Sequence, residues 1–414
     1  MDASIELHDS LRGVKKQAAQ LRHARYHCDL LKKANELYLK GGENILVGLR
    51  MFDVEWMQIQ AGQYWAANND TALCCTYPDV GTDVLDIRLL YRERIAWLES
   101  GLDAARKTND RLIEGNHLCN LGLAYRNLGE AGKAITYYEK ALVIYCEIGN
   151  LQGEGKAKCN LGSACITLES LPKAIEYCEE ALEIARKIGY QRGEANALGN
   201  LGIAWRKTGK PRKTIDYLKK GLDIYHVIGD WRGEMKTLDN LGSAFYSLKE
   251  IQRAIKYYKK ALDMARLIGD RRGEANALGN LGLAYSDYSK GELQKIAINY
   301  YEDALIIVRE VGDRIGEGNI LNNLASVYLA MNEVTKAKEF YEHTLAFMRE
   351  IGDRRGEANA LNNLGVLLYE QKDKENAVDM LMQAMAIYKS IKSPAEKRVK
   401  KRLEEWGIKI SPQD

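Results

Sequence analysis

The sequence predicts an all-α protein built as an array of stacked, antiparallel helix pairs. Three observations carry that prediction. Only 5 prolines occur in 414 residues, and the chain is rich in Ala, Leu, Glu and Lys, which suit helices. The triplet Asn-Leu-Gly begins at Asn120, Asn160, Asn200, Asn240 and Asn280, each 40 residues after the last. Within each step apolar residues recur at i, i+3, i+4 and i+7 twice over, the pattern of two amphipathic helices. A chain of this length could instead form two or three compact domains, but a fixed period points to an array.

Two further copies, Asn323-Leu324-Ala325 and Asn363-Leu364-Gly365, bring the repeats to seven, in residues 111–391. The step from Asn280 to Asn323 is 43 residues, and its three-residue insertion falls in the turn region 285–295. In the unit from Asp270 to Gly312, Gly269 is placed to close the preceding helix and Asp270 to cap the next. Leu278, Leu281, Gly282 and Tyr285 form the stripe of the first helix. A turn follows near Lys290 and Gly291, and Ala297, Tyr301, Ala304 and Leu305 share one face of the second helix. A mid-helix glycine such as Gly122, Gly202 or Gly282 costs about 0.5–1 kcal/mol against alanine. A cost repeated at every period implies close approach of the partner helix, with small residues such as Ala134, Ala141, Ala174 and Ala181 as the expected answer.

Residues 1–110 read as an irregular helical region. Helices are expected over 4–39 and 44–67, split at Gly41-Gly42-Glu43. Residues 90–108 align with the second helices of the repeats. Their partner, near 70–86, lacks the triplet and contains Pro78, so a degenerate helix kinked or broken there is expected. Residues 392–414 should form a capping helix after Pro394 and a tail; their basic stretch is interleaved with acids, as a solvated face would be.

Leu-Gly-x-x-Tyr in the first helix, followed by Ala and an aromatic in the second, resembles the tetratricopeptide repeat, whose usual period is about 34 residues. The longer period here, and the Gly-Asp-Arg-Arg-Gly-Glu junction, resemble the 40-residue repeats of spindle-orientation adaptors and of bacterial signal-transducing ATPases with numerous domains. The phrase GGENILVGLRMFDVEWMQIQAGQYWA (41–66) resembles the segment that joins the nucleotide-binding part of such ATPases to their repeats. The resemblance implies a right-handed superhelical solenoid whose first helices line a concave groove. It also implies a protein–protein interaction module or scaffold, or alternatively the sensor module of such an ATPase.

The sequence supplies little for catalysis. No G-x-x-x-x-G-K-[ST] phosphate loop occurs, so no nucleotide or other cofactor is expected. His23, His27 and Cys28 sketch a metal site but lack the surrounding acids, and a packed or solvated pair is the better reading. Cys74 and Cys75 are adjacent and read as core thiols, whereas Cys119 and Cys159 share one frame position on the face assigned to the groove, where the lack of a His or acid at matching positions disfavours a reactive or metal-binding pair. Glu114, Glu154, Glu194, Glu234, Glu274, Glu317 and Glu357 recur once per repeat, which suits a structural role. The first helical turn, or nearby arginines such as Arg192, Arg232, Arg272 and Arg355, are the expected partners. A net charge of +3, from 60 basic and 57 acidic residues, gives no field for nucleic acid or an anionic membrane. No apolar leader opens the chain, and eight scattered cysteines fit reduced thiols in a cytoplasmic protein. The oligomeric state is left open.

The recurring asparagines are the candidate site. Asn280 is turned about 100° from the core stripe, and asparagine is a mediocre helix former. One column holds Asn120, Asn160, Asn200, Asn240, Asn280, Asn323 and Asn363. A second, four residues earlier, holds Asn116, Lys156, Asn196, Lys236, Asn276, Asn319 and Asn359. Carboxamides both donate and accept, so such rows can pair with an extended peptide backbone. In the resembled family, Asn at this position binds peptide backbone or a terminal carboxylate. The alternative is that each Asn bonds to the neighbouring first helix and ties the stack, and the two roles are compatible. Arg126, Lys156, Arg206 and Lys236 make the N-terminal part of the face basic, so the expected partner is a protein or peptide segment acidic at one end.

Overall fold

The computed structural model describes residues 2–288, 292–391, 393 and 395–408, and residues 1–248 and 249–414 form two compact units. The expected turn at Lys290 and Gly291, and Pro394, lie outside the described residues. Every described element of regular structure is a helix.

The first unit opens with a long hairpin, α1 (Asp2–Leu39) and α2 (Asn44–Asn69), split as expected at Gly41 and Gly42. Then come α3 (Thr71–Val80), α4 (Thr82–Arg88) and α5 (Tyr91–Lys107), the last being the second helix read from residues 90–108. Pairs follow: α6 (Arg111–Asn127) with α7 (Ala131–Glu147), α8 (Leu151–Thr167) with α9 (Leu171–Lys187), and α10 (Gln191–Lys207) with α11 (Pro211–Val227). The unit ends on α12 (Trp231–Ser247).

The degenerate helix is broken, though not at proline. Pro78 is inside α3, which continues to Val80, and the break is at Gly81. Thr82 Oγ1 donates to the carbonyl of Asp79 at 2.8 Å and closes the turn. Gly81 has no side chain to cap α4. Asn35 from α1 does so instead: its Oδ1 accepts from the backbone N of Asp83 at 2.9 Å and of Val84 at 3.1 Å.

The second unit holds α13 (Ile251–Ile268), α14 (Arg271–Tyr288), α15 (Glu292–Glu310), α16 (Arg314–Ala330), α17 (Val334–Ile351), α18 (Arg354–Glu370), α19 (Lys374–Ser390) and α20 (Ala395–Glu405). The helix α20 caps the array: Ala395, Val399 and Leu403 are buried, and Trp406 stacks on Tyr369 with centroids 3.6 Å apart. Arg402 Nη1 adds a bond to Asn362 Oδ1 at 2.8 Å.

The junctions form as the phrase dictates. Gly269 takes φ +65, ending α13 in the left-handed conformation, and Asp270 Oδ1 accepts from Gly273 N at 2.9 Å. Asp110, Asn150, Asp230, Asp313 and Asp353 cap their helices in the same way.

The mid-helix glycines do mark close approach, partly to the small residues expected, since a Cβ on Gly162 would sit 3.1 Å from the Ala174 carbonyl oxygen and one on Gly365 3.1 Å from that of Ala377, but larger side chains also enter the space. A Cβ on Gly122 would sit 2.5 Å from the Tyr138 ring, one on Gly162 2.3 Å from Cys178 Sγ, and one on Gly282 2.8 Å from the Tyr301 ring. At Gly122 and Gly282 the glycine is a hole that receives a tyrosine ring from the second helix. The alanines flank that side chain: Ala134 and Ala141 lie one turn either side of Tyr138, all three fully buried.

The Tyr138 hydroxyl is buried with no hydrogen-bond partner among the described residues. Tyr138→Phe is therefore expected to stabilise the protein by about 1 kcal/mol, because the ring stays and an unsatisfied polar group goes. Thermal denaturation checks this against Tyr145→Phe, which loses a 2.8 Å bond to Asn116 Oδ1 and should lower Tm.

Candidate ligand-binding face

Within the first unit α6 packs against α8, α8 against α10 and α10 against α12, and α6, α8 and α10 also pack against their own partner helices α7, α9 and α11. They present one stripe at i, i+4 and i+8: Arg192, Asn196 and Asn200 on α10, and Arg232, Lys236 and Asn240 on α12. Both asparagine columns lie on this stripe.

The later column ties repeats together. Asn160 Nδ2 donates to Cys119 Sγ at 3.3 Å, and Asn200 Nδ2 to the Cys159 carbonyl at 3.0 Å and its Sγ at 3.3 Å. Asn120 is buried and donates to Thr82 Oγ1 at 3.4 Å. The earlier column is held from the second helices by tyrosines. Tyr145 donates to Asn116 Oδ1 at 2.8 Å, and Tyr225 to Asn196 Oδ1 at 2.6 Å. Asn116 Nδ2 also reaches Asp79 Oδ1 at 2.9 Å.

These anchors leave a polarity on α10. Asn200 spends its N–H on the preceding repeat, and its Oδ1 makes no hydrogen bond among the described residues. Asn196, which is exposed, spends Oδ1 on Tyr225, and its Nδ2 makes none among the described residues. One donor and one acceptor, a helical turn apart, match one peptide unit of an extended chain.

Lys156 and Lys236 are exposed on the same stripe, and Asn240 and Arg206 are half-buried. Arg126 donates to Ser163 Oγ, with a second bond to Asn127 Oδ1 at 3.4 Å.

In the second unit the pattern recurs. Tyr388 donates to Asn359 Oδ1 at 2.6 Å, and Asn363 Nδ2 to Asn322 Oδ1 at 3.1 Å, one repeat back. Asn276 and Asn319 are exposed, whereas Asn280 and Asn323 are half-buried.

The recurring glutamates are structural, but their partners differ from those expected. Glu114 meets Arg106 and Arg111 at 3.0 and 2.7 Å; Glu274 meets Arg266 and Arg271 at 2.9 and 2.7 Å. Glu194, Glu317 and Glu357 likewise meet Arg186, Arg309 and Arg349. The recurring partner lies eight residues earlier, in the last turn of the preceding second helix, where the basic residue also suits the helix dipole. The junction is therefore pinned across its turn.

That releases Arg192 and Arg232, which the sequence reading had tied to the glutamates. Both point at α4. Arg232 Nη1 meets Asp86 Oδ2 at 2.6 Å, and Arg94 holds the other oxygen of the same carboxylate. Arg192 Nη1 lies 3.8 Å from Asp83 Oδ1, with its Nε 3.1 Å from Asp230. Burial pushes the Asp86 carboxyl up, but Arg94, Arg232 and Lys236 outweigh it and hold it well below the usual carboxylate range. The available signal was the register: Arg192 stands one turn before Asn196, on the same stripe.

Seven of the eight thiols are buried, and Cys146 is exposed. Cys119 and Cys159 are buried beneath the asparagines, and burial pushes Cys159 up to about 12. Burial raises Cys28 to about 12 as well, and His23 bonds Gln58 while His27 bonds the His23 carbonyl. Among the described residues no three His, Cys, Asp or Glu side chains gather as metal ligands, and no helix is long and apolar enough to cross a membrane.

A tetratricopeptide repeat profile matches residues 154–225, 233–305, 292–350 and 316–390, and a second such profile matches 118–145. No curated protein sequence matches the chain. Among solved structures it is similar to a Rap protein complexed with competence and sporulation factor, at 14% identity over 91% of this chain and 99% of that one, TM-score 0.62. It is also similar to the Rap conjugation gene regulator of plasmid pLS20 in complex with the Phr* peptide, at 16% identity over 89% and 96%, TM-score 0.59. The signal transduction ATPase with numerous domains from Pyrococcus horikoshii, which carries a tetratricopeptide repeat sensor, matches at 17% identity over 93% of this chain and 55% of that one, TM-score 0.50. At such identities the likeness is one of fold. With the repeat profile matched over more than half its length, and the helix pairs stacked at that period, the chain belongs to the tetratricopeptide repeat family.

Proposed function

We propose that the chain is a non-enzymatic binding module of the cytoplasm that holds an extended peptide or protein segment along the stripe of its first helices. Residues 111–391 supply the repeats, residues 1–110 an irregular helical extension and residues 392–414 the cap. The observation that carries this reading is the oriented pair on α10: a free donor on Asn196 and a free acceptor on Asn200, each anchored through its other atom. A carboxamide used only as a tie has no need of a partner column one turn away that is fixed in the complementary sense. The basic residues of the first unit favour a ligand acidic at one end, and the near-neutral chain disfavours nucleic acid and membrane surfaces. One of the similar structures carries a peptide by its own description, which agrees with a peptide ligand here.

A second reading, a sensor module for a signalling ATPase, draws on the similarity to the sensor of the Pyrococcus protein, of which this chain covers 55%. The test of the first reading is an affinity pull-down with the wild type and with Asn200, Asn240 and Asn280 changed to Ala. The variant should retain its helicity and lose the partners recovered by the wild type. Recovery of the same partners by a folded variant removes the groove assignment.

A further inference from the structure

The binding stripe of the first unit already has an occupant, and it belongs to the chain itself. Residues 79–86 run along that stripe. Asp79 Oδ1 accepts from Asn116 at 2.9 Å and Thr82 Oγ1 from Asn120 at 3.4 Å, both on α6. Asp83 faces Arg192 on α10, and Asp86 is held by Arg232 on α12, 146 residues away. The turn before α2 reaches the same region: Gly42 N donates to the Gly229 carbonyl at 3.0 Å, just ahead of α12. A Cβ on Gly41 would sit 2.4 Å from that oxygen, so only glycine fits there. The break at Gly81 is what lets α4 leave the line of α3 and reach the arginines.

We infer that residues 79–86 act as an internal stand-in for the ligand, and that Arg192 and Arg232 are the carboxylate clamp an acidic peptide takes over by displacing Asp83 and Asp86. This rests on the peptide-binding reading and adds the ligand's chemistry: two carboxylates one helical turn apart, as Asp83 and Asp86 present them. The arrangement is built for release. When Asp83 leaves, Arg192 keeps Asp230 at 3.1 Å; when Asp86 leaves Arg232, it keeps Arg94. Neither Arg192 nor Asp86 is stranded as an unpaired buried charge, the event that makes most buried ion pairs costly to open. A guanidinium can take a peptide carboxylate through two N–H groups at once, which gives an incoming acidic residue a better bond than the single 3.8 Å contact Asp83 makes with Arg192.

The test uses the full chain and a fluorescein-labelled synthetic peptide with the sequence of residues 79–88, read by anisotropy. The wild type should bind it weakly. Asp83→Asn should bind it several-fold tighter and Asp83→Asn/Asp86→Asn about tenfold tighter, the factor that about 1.4 kcal/mol of lost competition gives. Adding Arg192→Gln to Asp83→Asn should abolish the gain. Asp83→Asn is the safeguard against misfolding, because Asp83 is 34% exposed and its loss leaves Arg192 paired. Equal affinity for wild type and Asp83→Asn, or a gain that survives Arg192→Gln, overturns the inference. So does a peptide carrying Asn in place of its aspartates that binds as well as the acidic one. If both peptides bind all these variants alike but fail on Asn196→Ala/Asn200→Ala, the stand-in is refuted while the groove reading stands.

Discussion

Asp86→Ala should lower stability by about 3–5 kcal/mol, the usual cost of removing one partner of a buried ion pair. Arg94 is 2% exposed, and the substitution leaves its guanidinium without the carboxylate that compensates its burial. Asp86→Asn should cost less, since the carboxamide oxygen still accepts from Arg94. The pair also makes stability depend on pH. The Asp86 carboxyl is depressed in the folded chain, so its contribution is complete above the unfolded value, near pH 3.9. It is lost progressively as pH falls below that point, because the unfolded chain then takes up a proton that the folded chain refuses. Thermal melts of the wild type and Asp86→Asn between pH 3 and 7 should show a constant gap above about pH 5 and a shrinking one below pH 4. A gap that widens on acidification would contradict the ion-pair geometry.

The repeat architecture was legible because it is written locally. A 40-residue register fixes the Gly-Asp punctuation, and caps such as Asp270 to Gly273 need only neighbours along the chain. The asparagines were legible as an anomaly, since helix propensity gives no reason for them at that position. Their double role was open in the sequence, and the hydrogen bonds of Asn160 and Asn200 establish the tie. What the sequence hid is non-local. Glu114 has Arg111 three residues away, but Arg106 comes back across a turn. Arg232 meets a carboxylate on α4 that no period relates to it. Proximity in sequence tied Arg192 and Arg232 to the glutamates, whereas the fold spends them on residues 83 and 86. The glycine holes were half-legible: the repeated cost implied close approach, but an apolar stripe does not say which residue enters the hole. The period holds that answer, since Tyr138, Cys178 and Leu218 stand at one frame position, all fully buried.

Gly122→Ala should cost about 1–3 kcal/mol, and Gly122→Leu more, through overpacking rather than any loss of contact. Alanine is the better helix former by about 0.8–1.0 kcal/mol, so on a bare helix the change would stabilise. In this fold the new methyl would sit 2.5 Å from Cε1 and 2.7 Å from Cδ1 of Tyr138, a ring that is itself fully buried and would have to shift. Packing therefore outweighs propensity, and the sign of the effect reports the hole. A double-mutant cycle separates the two terms. Tyr138→Leu alone should destabilise by emptying the space the ring fills. Combined with Gly122→Ala it should cost less than the sum of the two changes, with a coupling of about 1 kcal/mol or more, because the methyl then enters space the ring has left. Gly132→Ala, at an exposed position with nothing within 4 Å of the added methyl, serves as the control and should raise Tm slightly. Additive losses at Gly122 and Tyr138 would mean that the ring does not occupy the glycine's space.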